Sequence, residues 1–178
     1  MFTLADFERA RIVKKTDTIM DAVLFSMEKN GFAYAMNLCD SHDRGTYAEK
    51  LVGNKLIDNG FMVDFYGAIH DYDLLVNGSV RAEVKLATIQ PAGKNKTKYA
   101  FHKIKPEMFD VIFLVFLNPY GATIKWTTSE MMTEWSVDYK RGEYGYTITF
   151  NGDMASKKLV YNESLDSFIR LYQDAKVA

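Results

Sequence analysis

Residues 69–86 read Ile69-His70-Asp71-Tyr72-Asp73-Leu74-Leu75-Val76-Asn77-Gly78-Ser79-Val80-Arg81-Ala82-Glu83-Val84-Lys85-Leu86. An Asn-Gly pair between two runs of alternating character is the strongest short-range signal for a β-hairpin. Loop length then decides which side chains share a face, because a slip of one residue turns a whole strand over. A two-residue loop at Asn77-Gly78 sets Asp73 opposite Ala82 and sends Glu83 to the other side. An odd loop, three residues with a bulge, puts Asp73 and Glu83 on one face. Sorting by period two favours the odd loop. Tyr72, Leu74, Val76, Val80, Ala82, Val84 and Leu86 then form one apolar face, and Asp71, Asp73, Leu75, Arg81, Glu83 and Lys85 form the other. Such segregation is what a half-buried sheet requires.

The polar face gathers two or three carboxylates and one ammonium. Like charges that close raise one another's pKa unless a cation neutralises them. A hard divalent ion such as Mg²⁺ does so with one or two carboxylates, leaving its other positions to water and phosphate. A cross-strand ion pair between Asp73 and Lys85 is the competing structural reading.

Upstream, residues 61–69 read as a strand, and residues 46–59 as a helix closed by Gly60. Its stripe is Ala48, Leu51, Val52 and Leu56, with Glu49 on the border, facing partly inward. Residues 40–46 read as a polar turn, and residues 2–38 as helical, with Thr16 or Asp17 as a cap. Downstream, Lys94, Lys96, Lys98, His102, Lys103 and Lys105 stand in a stretch without acidic residues, interleaved with Tyr99 and Phe101. A basic segment of this kind suits phosphate contact, which gives salt-dependent affinity without sequence information. Gln90 lies near the end of the second hairpin strand. Residues 111–117 are wholly apolar and predict a central strand. A turn at 118–121, a strand at 123–126, a short helix capped by Ser129, an alternating strand over 144–150 and a final helix over 163–175 complete the reading.

The chain has 178 residues, a length expected of a single domain, with 48% hydrophobic residues, 25% charged residues and a net charge of −1. One cysteine, Cys39, excludes internal disulfides and a cysteine-rich zinc site. His42, His70 and His102 show no metal-ligand spacing. With no apparent signal peptide and no apolar run long enough to span a bilayer, a cytoplasmic protein without membrane association is expected. That expectation includes a phage-encoded protein acting in the host cytoplasm.

Asp73-Leu-Leu-Val, a short turn, then Glu83-Val84-Lys85 resembles the PD-(D/E)XK, or restriction-endonuclease-like, nuclease superfamily. Gly45-Thr-Tyr-Ala-Glu49 resembles the helix that many members place before the core sheet, and the apolar strand after Phe109-Asp110 resembles their fourth core strand. Tyr72 stands where the family pattern has a proline that many members also lack. The resemblance covers roughly residues 45–117. It implies an α/β fold, a central mixed sheet beginning with an antiparallel hairpin and flanked by helices, in one nuclease domain. Residues 1–40 would be its helical N-terminal part, 45–117 its catalytic core, and 118–178 its C-terminal strands and helix.

The resemblance also implies Mg²⁺-dependent hydrolysis of DNA phosphodiesters, with Mn²⁺ substituting. Asp73 and Glu83 would be metal ligands, with the Val84 carbonyl and Glu49 completing the shell, and Lys85 would act on the attacking water. A restriction-type or phage-type endonuclease on duplex DNA, working as a homodimer, is the first expectation. A Holliday-junction resolvase on branched DNA is the second. A DNA-binding module on the same fold that does not cleave is the alternative of another class.

Overall fold

The computed structural model describes residues 40–67, 70–92, 97–118, 121–133, 139–142, 145–151 and 164–174. The expected N-terminal helix over 2–38 and Cys39 lie outside them. The first described helix, α1 (Ser41–Asp58), starts five residues earlier than its apolar stripe suggested. Asp40 caps it, its carboxylate accepting the Asp43 N–H at 2.8 Å. The residues read as a polar turn are its solvent-facing first turns.

Five strands form the main sheet in the order β1 (Val63–Phe65), β2 (Leu74–Val76), β3 (Val80–Thr88), β6 (Val111–Asn118) and β7 (Gly121–Thr128). Neighbours are antiparallel except β3 and β6, which run parallel. A second sheet runs in the order β4 (Gln90–Pro91), β5 (Thr97–Ile104), β9 (Gly145–Asn151) and β8 (Tyr139–Gly142). A short helix, α2 (Ser129–Thr133), follows β7. Its first-turn Met131 N–H is accepted by the Thr128 hydroxyl, so the cap lies one residue before the expected Ser129. The last described helix is α3 (Leu165–Asp174).

Strand β6 explains its own apolar composition. Val111, Phe113, Val115 and Leu117 point into one core, shared with α1, α3 and the apolar faces of β2 and β3. Ile112, Leu114 and Phe116 point into the other, shared with Tyr99, Phe101 and Ile104 of β5 and Ile148 and Phe150 of β9. A strand buried on both faces reads as a continuous apolar run. Helices were expected on both faces of the sheet; among the described residues one face is covered by a second sheet instead. The parallel crossover from β3 to β6 runs through β4, β5 and a 3₁₀ turn at Pro106–Met108. In β5, lysines between Tyr99, Phe101 and Ile104 hide a strand inside what reads as a basic loop.

The hairpin adopts the odd register. Val76 pairs with Val80 and Leu74 with Ala82, leaving Asn77, Gly78 and Ser79 as the loop. Asn77 and Gly78 take φ of 53° and 70°, the left-handed region that Asn and Gly tolerate best. Leu74, Val76, Ala82 and Val84 are buried in the first core, with Val80 and Leu86 packed against it. Tyr72 departs from its expected face and packs against the second core, because the chain bends before β2 begins. The strand expected over 61–69 ends at Phe65, and Gly67, at φ 58°, turns the chain.

Candidate active site

Asp73 sits immediately before β2, still bonded to β3. Its N–H donates to the Ala82 carbonyl at 3.1 Å, and its own carbonyl accepts the Tyr66 N–H at 3.0 Å. Its Oδ2 accepts the Val84 N–H at 2.7 Å. Partners on either side of Glu83 hold the Asp73 carboxylate at the level of that residue. Glu83 is 7% exposed, and Lys85, two residues along the same strand face, pairs with its Oε1. The competing reading paired Lys85 with Asp73; the ion pair formed is Lys85 with Glu83, and Asp73 is held by backbone.

Glu49 enters from α1, on the turn after Gly45, and lines the same cleft as Asp73, Glu83 and Lys85. Burial is the first cause of the strain among these groups. It lifts the Glu49 carboxyl from 4.5 to about 7, with the Asp73 charge adding and Lys85 opposing. Burial likewise lifts Glu83 to about 7 against the pull of Lys85, with Asp73 and Glu49 pushing further. Asp73 rises too, again through burial, against the Val84 hydrogen bond and Lys85. Lys85 is the ammonium that opposes all three shifts, and burial outweighs it at each carboxyl.

The carboxylate cleft has a volume of about 690 Å³. His42, Thr46, His70 and Asp71 line it, as do Lys103 and Lys105 of the basic segment. A second lobe of about 370 Å³ is lined by Arg44, Gln90 and His102, among others. The basic residues therefore divide. His102, Lys103 and Lys105 line these lobes, while Lys98 sits on β5 paired with Gln90 and Asn151. Lys94 and Lys96 lie outside the described residues. Sequence spacing missed Arg44, His42 and His70: the first two arrive on the hidden first turns of α1, and the third is brought in by the bend before β2. The one available clue was Asp40 three residues before Asp43, a capping spacing.

Among the described residues, no three or more His, Cys, Asp or Glu side chains stand together so as to hold a metal ion. A hard divalent ion does not need such a cluster. It takes one or two carboxylates, keeps several waters and offsets the negative charge that burial holds at Glu49, Asp73 and Glu83. The donor set of Asp73 and Glu83, with Glu49 close enough to act electrostatically, fits such an ion. No helix among the described residues is long and apolar enough to cross a membrane.

No protein-family model and no curated protein matches this chain. Among solved structures it is similar to a bacterial homing endonuclease, at a TM-score of 0.50 and 13% identity, over 78% of this chain and 99% of that one. At that identity the likeness speaks for the fold: a mixed α/β architecture with a central mixed sheet, shared with a nuclease.

Proposed function

We propose that this protein is a divalent-cation-dependent DNA endonuclease of the PD-(D/E)XK type, with its reaction centre at Asp73, Glu83, Lys85 and Glu49. The observation that carries the reading is the odd hairpin register, which sets an Asp, a Glu and a Lys on the charged face of an otherwise apolar hairpin. A salt-bridge ladder for stability alone would balance its charges; this face leaves carboxylates above their usual range. The likeness to a homing endonuclease supports the nuclease class.

Asp73 and Glu83 would hold Mg²⁺ or Mn²⁺, with the Val84 carbonyl adding to the shell and Glu49 acting on it through water. The bound ion would acidify a water and offset the charge of the pentacoordinate phosphate. The Val84 N–H fixes the Asp73 carboxylate, so its orientation needs no reorganisation when substrate arrives. Lys85, now tied to Glu83, supplies an ammonium for a phosphate oxygen or for orienting the attacking water. His102 and Lys105 carry the DNA backbone past the centre, and Lys94, Lys96 and Lys98 extend that basic stretch. Duplex DNA is the proposed substrate and a homodimer the proposed assembly, since two copies cut two strands.

Supercoiled plasmid and a synthetic four-way junction, each with Mg²⁺ or EDTA, test the reading alongside Asp73→Ala and Lys85→Met. Plasmid linearisation that needs Mg²⁺ and fails in both variants is expected. No Mg²⁺-dependent cleavage of either substrate by the wild type would sink it and favour a module that binds DNA without cutting. Symmetric junction nicks alone would move the assignment to a resolvase.

A further inference from the structure

Strand β5 breaks its own alternation at one place. Tyr99 and Phe101 are buried, His102 and Lys103 are both exposed, and Ile104 is buried again. Regular pleating would turn Lys103 inward, among Tyr99, Phe101, Phe116 and Phe150. The pairing shows how this is avoided. Phe101 faces Ile148 and Ile104 faces Tyr146, so His102 and Lys103 together oppose Thr147. His102 takes the pair position, its Nδ1 lying 3.1 Å from the Thr147 hydroxyl. Lys103 is the extra residue of a β-bulge, at φ 58°. The left-handed region is costly for a side chain with a Cβ, and such strain in a folded protein collects at functional sites. The partner strand also makes room for the bulge. At Gly145 an added Cβ would stand 2.8 Å from the Ile104 carbonyl oxygen.

The bulge aims this lysine at one particular place. Of all the residues lining the two lobes of the cleft, four line both: Glu49, Asp73, Lys85 and Lys103. Three of them belong to the proposed reaction centre. Bulges beside active sites characteristically re-aim a side chain.

We propose that Lys103 is a second cation of the reaction centre, contacting the phosphate that is cut, and is set apart from the other lysines of the basic segment, which track the DNA backbone. Its ammonium supplies hydrogen bonds and charge to a non-bridging or leaving oxygen as negative charge grows there, where a preorganised donor has its largest effect. The assignment rests on the endonuclease reading above.

Lys103→Gly and Lys103→Arg test it, by single-turnover cleavage of a duplex over a range of DNA concentrations and by thermal melting without DNA. Glycine accepts φ 58° freely, so Lys103→Gly is expected to melt about 2–4 °C above wild type. Its cleavage rate at saturating DNA is expected to fall about 10²-fold, as when one transition-state donor is removed. The half-saturating DNA concentration should change far less, and Lys103→Arg should recover most of the rate. A Lys103→Gly protein that cuts at the wild-type rate once saturated, losing affinity alone, overturns the assignment and makes Lys103 another backbone contact. A lower melting temperature for that variant overturns the strained-bulge argument. A wild type that cuts no DNA fails the endonuclease reading itself, a result distinct from both.

Discussion

Replacing Glu49 by glutamine removes one of three crowded carboxylates while keeping the side chain's shape. Its carboxyl is lifted from 4.5 to about 7, first by burial and then by the Asp73 charge, against the pull of Lys85. A carboxyl with a raised folded value binds its proton more tightly in the folded state. Stability therefore falls as pH rises from the unfolded value towards about 7, and the whole penalty is present above it. At about 1.4 kcal/mol per pH unit, the penalty has a ceiling of about 3 kcal/mol. Solvent still reaches this half-buried carboxyl and screens it, which leaves about 1–2 kcal/mol. For a chain of this length that is a rise of roughly 2–8 °C in melting temperature.

The assay is thermal melting by circular dichroism in EDTA, at about pH 5 and about pH 8, on either side of most of the titration. Glu49→Gln should melt above wild type at the higher pH and level with it at the lower, where Glu49 is already protonated in the folded protein. Added Mg²⁺ should raise the wild type more than the variant, because an ion that binds only the folded state stabilises by mass action. A variant that melts below wild type at the higher pH, or by the same margin at both, would refute the picture of a charge-strained site.

Asp110 accepts from the Arg81 N–H at 2.9 Å and from the guanidinium at 2.7 and 3.2 Å, tying the start of β3 to the start of β6. The Arg81 hydrogen bond holds its carboxyl below 3.8, so the stabilisation is present at neutral pH and lost as pH falls through that lowered value. Both side chains are about two-fifths exposed, so Asp110→Asn should cost only about 0.5–1 kcal/mol in urea unfolding at neutral pH. The difference should fade in acid. Gly145→Ala drives a Cβ against the Ile104 carbonyl oxygen and needs a φ of 122°. A loss of about 1–3 kcal/mol is expected in the same assay, with a disturbed bulge seen as altered amide exchange at Lys103. Phe168 is fully buried against Phe61, Phe113 and Trp126 and docks α3. Phe168→Ala should cost about 3–5 kcal/mol by urea denaturation.

The hairpin register was legible because two independent demands agreed on it. An apolar set of Leu74, Val76, Ala82 and Val84 and a charged set of Asp73, Glu83 and Lys85 segregate only with an odd loop, and the turn residues permit one. The apolar stripe of α1, the buried strand β6 and the final helix α3 were legible for the same reason, since composition and period point the same way. Where two signals disagreed, the sequence misled. The first turns of α1 are polar because they face solvent, and polarity reads as a turn unless the Asp40 cap is noticed. Lysine-rich composition outweighed the alternation of Tyr99 and Phe101 in β5, and the bulge then broke that alternation at Ile104. Arg44, His42 and His70 reach the cleft through tertiary packing, which no local spacing encodes.

The placement of the charged face follows from the two cores. On β3, Ala82 and Val84 serve the first core, while Ala87 further along serves the second, together with β5 and β9. Glu83 and Lys85 occupy the second-core side of that strand, yet they line an open cleft. The second sheet covers this side of the main sheet at Ala87 and over Ile112 to Phe116, and the charged pair lies beyond its edge. The same strand thus changes from core to cleft within four residues, and Lys103 reaches the cleft from the sheet that stops short of it. That makes the edge of β5 a structural part of the site: a shift of one residue in one direction would bury Lys103 in the place of Ile104, and in the other would bring Ile104 to the cleft in its stead.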